Sequence, residues 1–328
     1  MKALVTGSSG HLGEALVRVL RRQGEDVCSI DLLESPFTTA TGSILDRDLV
    51  EECMEGVDAV FHSATLHKPH VGTHSKREFV GTNITGTLTL LEAAVRAGVK
   101  AFIYTSTTSV FGDAMKPGPD DPSVWVTEDI DPVPKNIYGV TKAAAEDLCH
   151  LFHRRHGLPC IALRTSRFFP EEDDDASKRE SFDPDNLKVI EYLHRRADID
   201  DMVSAHLAAA NRAAAIGFGC FIISATTPFD QSHLRDLRGN AGSIVRELVP
   251  DVHDVFESRG WKIPNDIGRV YVNEAARQHL GWAPNYDFAQ IIQRLAGGGD
   301  YRSDLTRQVG VKGYHAETFA NGPYPVTD

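Results

Sequence analysis

Cysteine is scarce in this sequence and poorly placed for cross-linking. The 328 residues include five cysteines, which are scattered and form no Cys-x-x-Cys pair. An odd number of dispersed cysteines argues against a disulfide framework and against a zinc ribbon. We therefore expect a protein of a reducing compartment, the cytoplasm.

Long apolar runs and an excess of basic charge are also missing. No apolar run reaches the roughly 18 residues that a membrane-spanning helix requires. Lys and Arg total 34 against 46 Asp and Glu, a net charge of −12. Because nucleic acids and anionic membranes are bound through basic surfaces, we expect neither as a partner. Residues 1–6 have the pattern of a strand and lead directly into a glycine-rich turn, so we expect no signal peptide.

Short apolar runs alternate with segments of helical period through the first half of the chain. The predicted strands are Lys2–Thr6, Asp26–Asp31, Ala59–Ser63, Lys100–Ser106 and Pro159–Arg164. The predicted helices are Leu12–Arg22, Asp48–Met54, Arg77–Ala97 and Ile137–His156. This alternation predicts an α/β protein with a doubly wound parallel sheet of Rossmann type.

The second half has a weaker pattern, with a helix near 200–215 and a strand near 220–224. The acidic run Glu171–Asp175 is interpreted as an exposed loop. We expect a Rossmann domain over 1–165, a smaller substrate-binding portion interleaved with late Rossmann elements over 166–296, and a tail over 297–328. The sequence leaves open whether the tail lies over the body or crosses to another subunit.

The turn after the first strand contains three glycines at the spacing of a dinucleotide fingerprint. Gly7 permits the turn, Gly10 allows the backbone to approach a pyrophosphate, and Gly13 allows helix and strand to pack closely. The helix N-terminus then offers free N–H groups to the phosphates. Asp31 ends the next strand and is positioned to bind the adenosine ribose, which favours NAD over NADP. The alternative is that Asp31 only caps a turn.

Tyr138 and Lys142 lie one helical turn apart in the predicted helix Ile137–His156. A free tyrosine has a pKa of about 10 and is a poor base at neutral pH. We expect the Lys142 ammonium and the positive charge of the nicotinamide to lower the pKa of Tyr138, so that the phenolate accepts a proton from a secondary alcohol. The alternative is an ordinary amphipathic helix face.

Several further segments, taken in order, resemble the extended short-chain dehydrogenase/reductases, also called the NAD-dependent epimerase/dehydratase family. Thr6–Gly13 resembles the family's TGxxGxxG. The other matching segments are Asp46, Phe61–Ala64, Asn83–Thr87, Ser106–Gly112 and Leu280–Pro284. The resemblance implies that NAD contacts Gly7, Ser9, Gly10, His11, Leu12, Gly13, Asp31, Asp46, Ser63, Ala64, Tyr138 and Lys142.

The resemblance also implies a catalytic triad of Thr107, Tyr138 and Lys142, with Ser106 as the alternative to Thr107. Asn83 is expected to tie a helix to the sheet. Family dehydratases carry an Asp-Glu pair after the catalytic Thr, whereas this chain has Thr108 and Ser109. Because β-elimination then lacks its proton carriers, a dehydratase is disfavoured.

The predicted substrate-binding segment is short and resembles that of uronate dehydrogenases, which oxidise free sugar acids. Arg167 is a candidate partner for a sugar carboxylate, and the alternative is that Arg164 and Arg167 form structural ion pairs with the acidic run. Thr108 and the loop residues His67, Lys68 and His70 are further candidates for substrate contact. The neighbouring His62 and His74 complete a histidine cluster whose spacing matches no metal motif, so we expect no bound metal.

We expect an NAD-dependent oxidoreductase that transfers hydride at a secondary alcohol or ketone of a sugar or sugar-acid-like substrate. One alternative is an NAD-dependent epimerase, in which oxidation is transient. A second is a non-catalytic dinucleotide sensor that binds partner proteins. By the resemblance, the helices near Asn83–Ala97 and Ile137–His156 pair with a second copy in a homodimer.

Overall fold

The computed structural model describes residues 1–315, 319 and 322–325, and a parallel sheet of seven strands organises this part of the chain. The strands are Lys2–Thr6 (β1), Asp26–Asp31 (β2), Ala40–Thr41 (β3), Ala59–His62 (β4), Ala101–Thr107 (β5), Val124–Val126 (β6), Cys160–Thr165 (β7), Phe218–Ile223 (β8) and Arg269–Tyr271 (β9). The main sheet has the order β3-β2-β1-β4-β5-β7-β8, and β6 pairs with β9 in a separate parallel ribbon.

Helices cover both faces of the main sheet, which confirms the predicted doubly wound fold. Their bounds are His11–Arg22 (α1), Arg47–Met54 (α2), Lys76–Phe79 (α3), Gly86–Ala97 (α4), Ile137–His156 (α5), Ala176–Ser181 (α6), Pro184–Glu191 (α7), Ile199–Ile216 (α8), Ala241–Leu248 (α9), Val252–Arg259 (α10), Glu274–Leu280 (α11), Phe288–Ala296 (α12) and Asp304–Val309 (α13).

Two apolar layers hold the helices against the sheet. On one face Leu16 of α1 and Met202 of α8 are fully buried, and on the other Leu90 of α4 and Cys149 of α5 are fully buried. The predicted helix over Arg77–Ala97 contains a π-helical turn at Val80–Thr85 between α3 and α4. Such turns interrupt helices most often near functional sites.

The strand order reverses between β1 and β4, because the chain runs outward from β1 to β3 on one side and from β4 to β8 on the other. In open parallel sheets, ligands bind at the carboxyl ends of the strands beside such a reversal. The loops that follow β1, β4, β5 and β7 therefore define the edge where a site is expected.

The acidic run is a loop, as its composition predicts, but it is only partly exposed. Glu172 and Asp175 are exposed, whereas Glu171 and Asp173 are buried, and the run leads into two short helices, α6 and α7. Charged residues stay buried only when opposite charges compensate them, and arginines and a histidine do so here. The predicted exposure was wrong for the two buried residues because composition alone does not show this pairing.

The described part of the tail lies against the body of its own chain. Leu305 and Val309 of α13 belong to the apolar layer between α1 and α8. Tyr301 is buried, and its hydroxyl donates a hydrogen bond to Asp185 at 2.8 Å. Of the two positions that the sequence left open, the residues 301–315 take the one over the body.

Candidate active site

The glycine turn after β1 leaves no room for side chains at two of its three glycines. Gly7 has a φ of +74°, and a Cβ there would lie 2.7 Å from the backbone nitrogen of Ala64. A Cβ on Gly13 would lie 1.9 Å from the carbonyl oxygen of Gly7. The turn is thus pressed against both the loop after β4 and the first turn of α1, as the fingerprint requires.

The N-terminus of α1 faces the same edge of the sheet. Gly10 is its N-cap and has no capping side chain, and the first intrahelical bond runs from the Glu14 N–H to the Gly10 carbonyl. The backbone N–H groups of His11, Leu12 and Gly13 therefore lack helical acceptors. A phosphate group is the natural ligand for such a terminus.

Asp31 comes directly beside this turn at the end of β2. Its carboxylate accepts hydrogen bonds from the backbone N–H groups of Ser9 and Leu33, both at 2.9 Å. The bond to Leu33 is the turn cap that the sequence allowed, and the bond to Ser9 ties the acid to the glycine turn. Both interpretations of Asp31 remain compatible with its geometry.

Asp46, Ser63 and Ala64 border the same crevice. Asp46 caps α2 by accepting from the N–H groups of Asp48 and Leu49. Ser63 donates its hydroxyl to the Thr6 carbonyl at 2.7 Å, and the Ala64 N–H donates to the Thr6 hydroxyl at 3.2 Å. These bonds hold the end of β4 against the end of β1.

Thr107 and Tyr138 meet at the end of β5. Thr107 is the last residue of the strand, and its side chain interacts with the Tyr138 phenol and lowers the pKa of that phenol. Gly139 permits this approach, since a Cβ there would lie 2.8 Å from the Ser109 carbonyl oxygen. The glycine after Tyr138 thus allows α5 to approach the turn after Thr107.

Lys142 extends from the next turn of α5 beneath Tyr138. Its ammonium donates to the Thr105 carbonyl at 2.5 Å and lies 4.1 Å from the centre of the Tyr104 ring. Lys142 is 2% exposed and Tyr138 is 8% exposed. Both side chains are therefore buried between α5 and the carboxyl end of β5.

Burial shifts the pKa values of Tyr138 and Lys142 in the protein without cofactor. Burial raises the pKa of the Tyr138 phenol to about 12, and the hydrogen bond with Thr107 offsets only part of this effect. Burial also lowers the pKa of the Lys142 ammonium to about 7, against the attraction of Glu146. In the protein without cofactor, burial therefore disfavours both charged forms. That Lys142 and the charge of the nicotinamide together lower the pKa of Tyr138 stays a prediction for the NAD-bound protein.

Ser106, the alternative to Thr107, points elsewhere. Its hydroxyl donates to the Glu146 carboxylate at 2.5 Å, and Arg164 donates to the same carboxylate. Neighbouring residues of a strand face opposite sides, so Ser106 cannot also reach Tyr138. Sequence reasoning missed Glu146, although its position one turn after Lys142 is a readable signal.

Arg167 is surrounded by carboxylates. Its guanidinium pairs with Asp173, with Asp174 at 3.1 Å and with Glu191 at 2.9 Å. This is the structural ion pairing that the sequence left open, and substrate binding by Arg167 would have to compete with it. Arg164 instead pairs with Glu146 at 2.9 Å, outside the acidic run.

The predicted histidines lie at the end of β4 and in the loop that follows it. His62 is buried at the end of β4 between Thr6 and Thr87, and burial lowers its pKa to about 3. His67 and His70 pack ring against ring with centroids 4.7 Å apart. Lys68 forms an ion pair with Asp174 that ties this loop to the acidic run.

Asn83 anchors the same loop. Its side chain accepts from the Leu66 N–H and donates to the Leu66 carbonyl, both at 2.9 Å, and also donates to the Thr141 hydroxyl at 2.9 Å. It thus connects the π-helical turn to the loop and to α5. Thr108 interacts with the Tyr271 side chain and helps to lower the pKa of that phenol, which places Thr108 beside the second, two-stranded sheet.

Within residues 1–315, 319 and 322–325, no group of three or more His, Cys, Asp or Glu side chains is arranged to hold a metal ion. Among the helices of that part, none combines the length and apolar character needed to cross a bilayer.

Comparison with known proteins assigns the chain to a family. A family model described as the NAD dependent epimerase/dehydratase family matches residues 3–218. The protein y4nG of Sinorhizobium fredii is 36% identical over 168 residues, and the uronate dehydrogenase of Pseudomonas syringae pv. tomato is 29% identical over 184 residues. These matches span 49% and 52% of this chain, but only 40% and 60% of the two relatives.

A solved structure is similar over nearly the whole chain. A short-chain dehydrogenase/reductase superfamily protein from Agrobacterium tumefaciens, solved with bound NAD, is 25% identical with a TM-score of 0.64. The similarity covers 94% of this chain and 98% of that protein. The likeness therefore includes the elements after residue 218.

Proposed function

The chain belongs to the NAD dependent epimerase/dehydratase family, and from that premise we propose that it is an NAD-dependent oxidoreductase. In this proposal it acts at a secondary alcohol or ketone of a sugar or sugar-acid-like substrate. One observation carries the proposal: Thr107, Tyr138 and Lys142 converge at the carboxyl ends of the strands that also bear the glycine turn.

The residues at the glycine turn fit a dinucleotide. Side chains at Gly7 and Gly13 would collide with backbone, while the first N–H groups of α1 lack acceptors. We propose that these groups bind the pyrophosphate, that Asp31 binds the ribose, and that Asp46, Ser63 and Ala64 border the adenosine. NAD, when bound, supplies the hydride acceptor.

The protein's own part in the reaction is proton transfer and orientation. Thr107 is positioned to hydrogen-bond the reacting oxygen, and Tyr138 to accept its proton. A substrate oxygen that lies between these two hydroxyls can hydrogen-bond both of them. Lys142, held under Tyr138 by the Thr105 carbonyl, supplies positive charge when protonated.

Arg269 is a second candidate for binding a substrate carboxylate. Its side chain makes no ion pair with any described residue, and its Nε donates to the Tyr271 hydroxyl at 3.3 Å. Tyr271 in turn interacts with Thr108, the neighbour of Thr107. Because Arg167 is already neutralised, we expect Arg269→Gln to raise KM for an acidic sugar more than Arg167→Gln does, in each case with kcat measured alongside.

Tyr138→Phe tests the proposed chemistry. The variant keeps the buried ring and loses the hydroxyl, so we expect turnover to fall below detection while NAD affinity, measured by calorimetry, stays near that of the wild type. Full turnover by this variant would contradict the proposed role of Tyr138. Unchanged cellular function in a variant without turnover would favour the dinucleotide sensor.

The dehydrogenase and epimerase alternatives differ in the fate of reduced cofactor. A dehydrogenase accumulates NADH in proportion to product, whereas an epimerase inverts its substrate without net NADH. Absorbance at the NADH band, recorded together with sugar configuration by NMR, separates them. The short substrate segment favours the dehydrogenase, and the same three residues support either reaction.

We further propose a cytoplasmic homodimer. The α4–α5 side of the sheet exposes Val80, Val140 and Leu151 at 42%, 48% and 37%. Apolar side chains left exposed on adjacent helices are typical of an interface between copies. Light scattering coupled to size exclusion is expected to give twice the chain mass, and a monomer mass for Val140→Lys.

A further inference from the structure

Glu146 lies one turn after Lys142 on the buried face of α5. The two side chains are 5% and 2% exposed, and their spacing of four residues places them on the same side of the helix. A buried ammonium needs a negative charge nearby to remain charged. Burial lowers the pKa of Lys142 to about 7, and the attraction of the Glu146 carboxylate opposes that effect.

Two neighbouring residues of β5 hold these two side chains. The Thr105 carbonyl accepts a hydrogen bond from the Lys142 ammonium at 2.5 Å. The hydroxyl of Ser106, the next residue of the strand, donates to Oε1 of Glu146 at 2.5 Å. Because the amine donates to the strand and not to the carboxylate, Glu146 acts on it across space. The strand that ends at Thr107 therefore fixes both charged groups beside the proposed site.

Arg164 of β7 holds the Glu146 carboxylate from another side. Its Nη2 donates to Oε2 at 2.9 Å, and its Nε lies 3.2 and 3.3 Å from the two carboxylate oxygens. Arg164 is itself 7% exposed and lies 4.9 Å from the centre of the Phe111 ring. Donors thus reach both oxygens of Glu146, as an ionised carboxylate in the interior requires.

The other titratable groups around Lys142 are uncharged at pH 7. They are Tyr104 of β5, Tyr138 and Cys149 of α5, His62 of β4 and His67 of the loop after β4. Burial raises the pKa values of the two phenols and the thiol, and it lowers those of the two imidazoles. Among the described groups that act on Lys142, Glu146 is therefore the one that carries negative charge.

We propose that Glu146 is a positioning residue that keeps Lys142 protonated beneath the Tyr138 phenol during proton transfer. Ser106 and Arg164 hold its carboxylate in the place from which it acts. This inference rests on the proposed function for the reaction that Lys142 serves. In the contrasting, purely structural role, the ion pair of Glu146 with Arg164 would only tie α5 to β7.

Two matched variants separate these roles. Glu146→Gln and Arg164→Gln break the same buried ion pair, but the first removes negative charge near Lys142 and the second removes positive charge. We expect the pKa of Lys142 to fall by about one pH unit or more in Glu146→Gln and not to fall in Arg164→Gln. NMR titration of lysine labelled with ¹³C at Cε measures this pKa in the full chain, and the Lys142 signal is assigned by its loss in Lys142→Met.

The rate–pH profile provides a second readout. An ammonium whose pKa falls loses its proton at lower pH, so the falling limb of kcat/KM is expected to move to lower pH in Glu146→Gln by the same amount. Glu128→Gln is the control. Glu128 also faces Arg164, and it accepts from the Ile222 N–H at 2.7 Å, but Glu146 is the carboxylate that acts on Lys142. This variant should leave the titration and the limb in place.

A double variant keeps the test decisive if Glu146→Gln leaves Arg164 without a partner and does not fold. Glu146→Gln/Arg164→Met removes both charges, a replacement that buried ion pairs often tolerate, and should still lower the pKa of Lys142. An unchanged or higher pKa in the variants that lack the Glu146 carboxylate would overturn the inference. A lower pKa in Arg164→Gln, or a falling limb that stays in place, would also overturn it. The titration needs neither NAD nor sugar, so a wild type without turnover would contradict the proposed function alone.

Discussion

The cofactor end and the substrate end of this site are built by different means. At the cofactor end, one turn of backbone after β1 fixes the geometry, and a Cβ on Gly13 would lie 1.9 Å from a carbonyl oxygen of the same turn. At the substrate end, Glu191 pairs with three arginines, and Asp173 pairs with two of the same arginines. The first end is specified by steric exclusion and the second by charge pairing.

The difference predicts how each end fails. A steric contact between backbone atoms has no way to relax, so one methyl group suffices to disrupt it. A charge network fails when one partner is removed, because the remaining charges stay buried without compensation. The following changes test this contrast, beginning with the largest expected effect.

Glu191→Gln tests the charge network. Burial raises the pKa of Glu191, but Arg195, Arg167 and Arg196 outweigh it and hold the pKa well below the usual range. We expect the variant to lose about 3–5 kcal/mol of unfolding free energy at pH 7, measured by urea denaturation. Because the depressed pKa stabilises the fold only above the unfolded value, the difference should shrink as the pH falls below about 4.3.

Glu51→Gln is the matched control for that experiment. Glu51 also pairs with an arginine, Arg96 at 2.7 Å, but both side chains are more than half exposed. The expected loss is below about 1 kcal/mol. Similar losses in the two variants would mean that burial does not distinguish the substrate-end network from an ordinary surface pair.

Gly13→Ala tests the steric end. The added methyl meets the Gly7 carbonyl, so we expect a loss of about 3 kcal/mol of stability and no measurable NAD binding at concentrations that saturate the wild type. Calorimetry and thermal denaturation measure the two effects. Gly81→Ala, where a Cβ meets nothing within 4 Å, should change neither. Normal NAD binding by Gly13→Ala would contradict the fingerprint.

The same contrast explains what sequence could and could not predict. The glycine turn, the strand that ends at Asp31 and the helix that contains Tyr138 are each specified by their own neighbouring residues. The bounds of β1, β2 and α5 were predicted without error. Local signals of this kind survive in the sequence because turn and helix geometry require particular residue types at fixed spacing.

The burial of Glu171 depends on partners that are distant in the chain. His11 and Glu171 are 160 positions apart, and Glu171 and Lys312 are 141 positions apart. Nothing in the acidic run itself identifies these partners, so its composition predicted an exposed loop. The effect of burial on the pKa of Tyr138 could not be predicted for a related reason, since burial is a property of the whole fold.

Thr107→Val tests the proposed proton transfer to Tyr138, which takes place between the cofactor end and the substrate end. The Thr107 hydroxyl stabilises the Tyr138 phenolate, and a hydrogen bond to a charged group contributes about 1.5–3 kcal/mol. Its loss should raise the pKa of Tyr138 further, moving the rising limb of the rate–pH profile up by about one to two pH units. Thr165→Val, which loses a hydroxyl bonded to the Ser106 carbonyl, should leave the profile in place.

Asp31→Asn is expected to have the smallest effect, because it changes charge without changing shape at the cofactor end. The wild type should prefer NAD to NADP, since the Asp31 carboxylate repels a ribose 2′-phosphate. Asparagine retains one oxygen to accept from Ser9 or Leu33, so the turn should persist while the preference falls about tenfold, or about 1.4 kcal/mol. Asp46→Asn keeps the cap of α2 and should leave the preference nearly unchanged. If Asp31→Asn also leaves it unchanged, Asp31 acts only as a turn cap, and the cofactor end discriminates by shape alone.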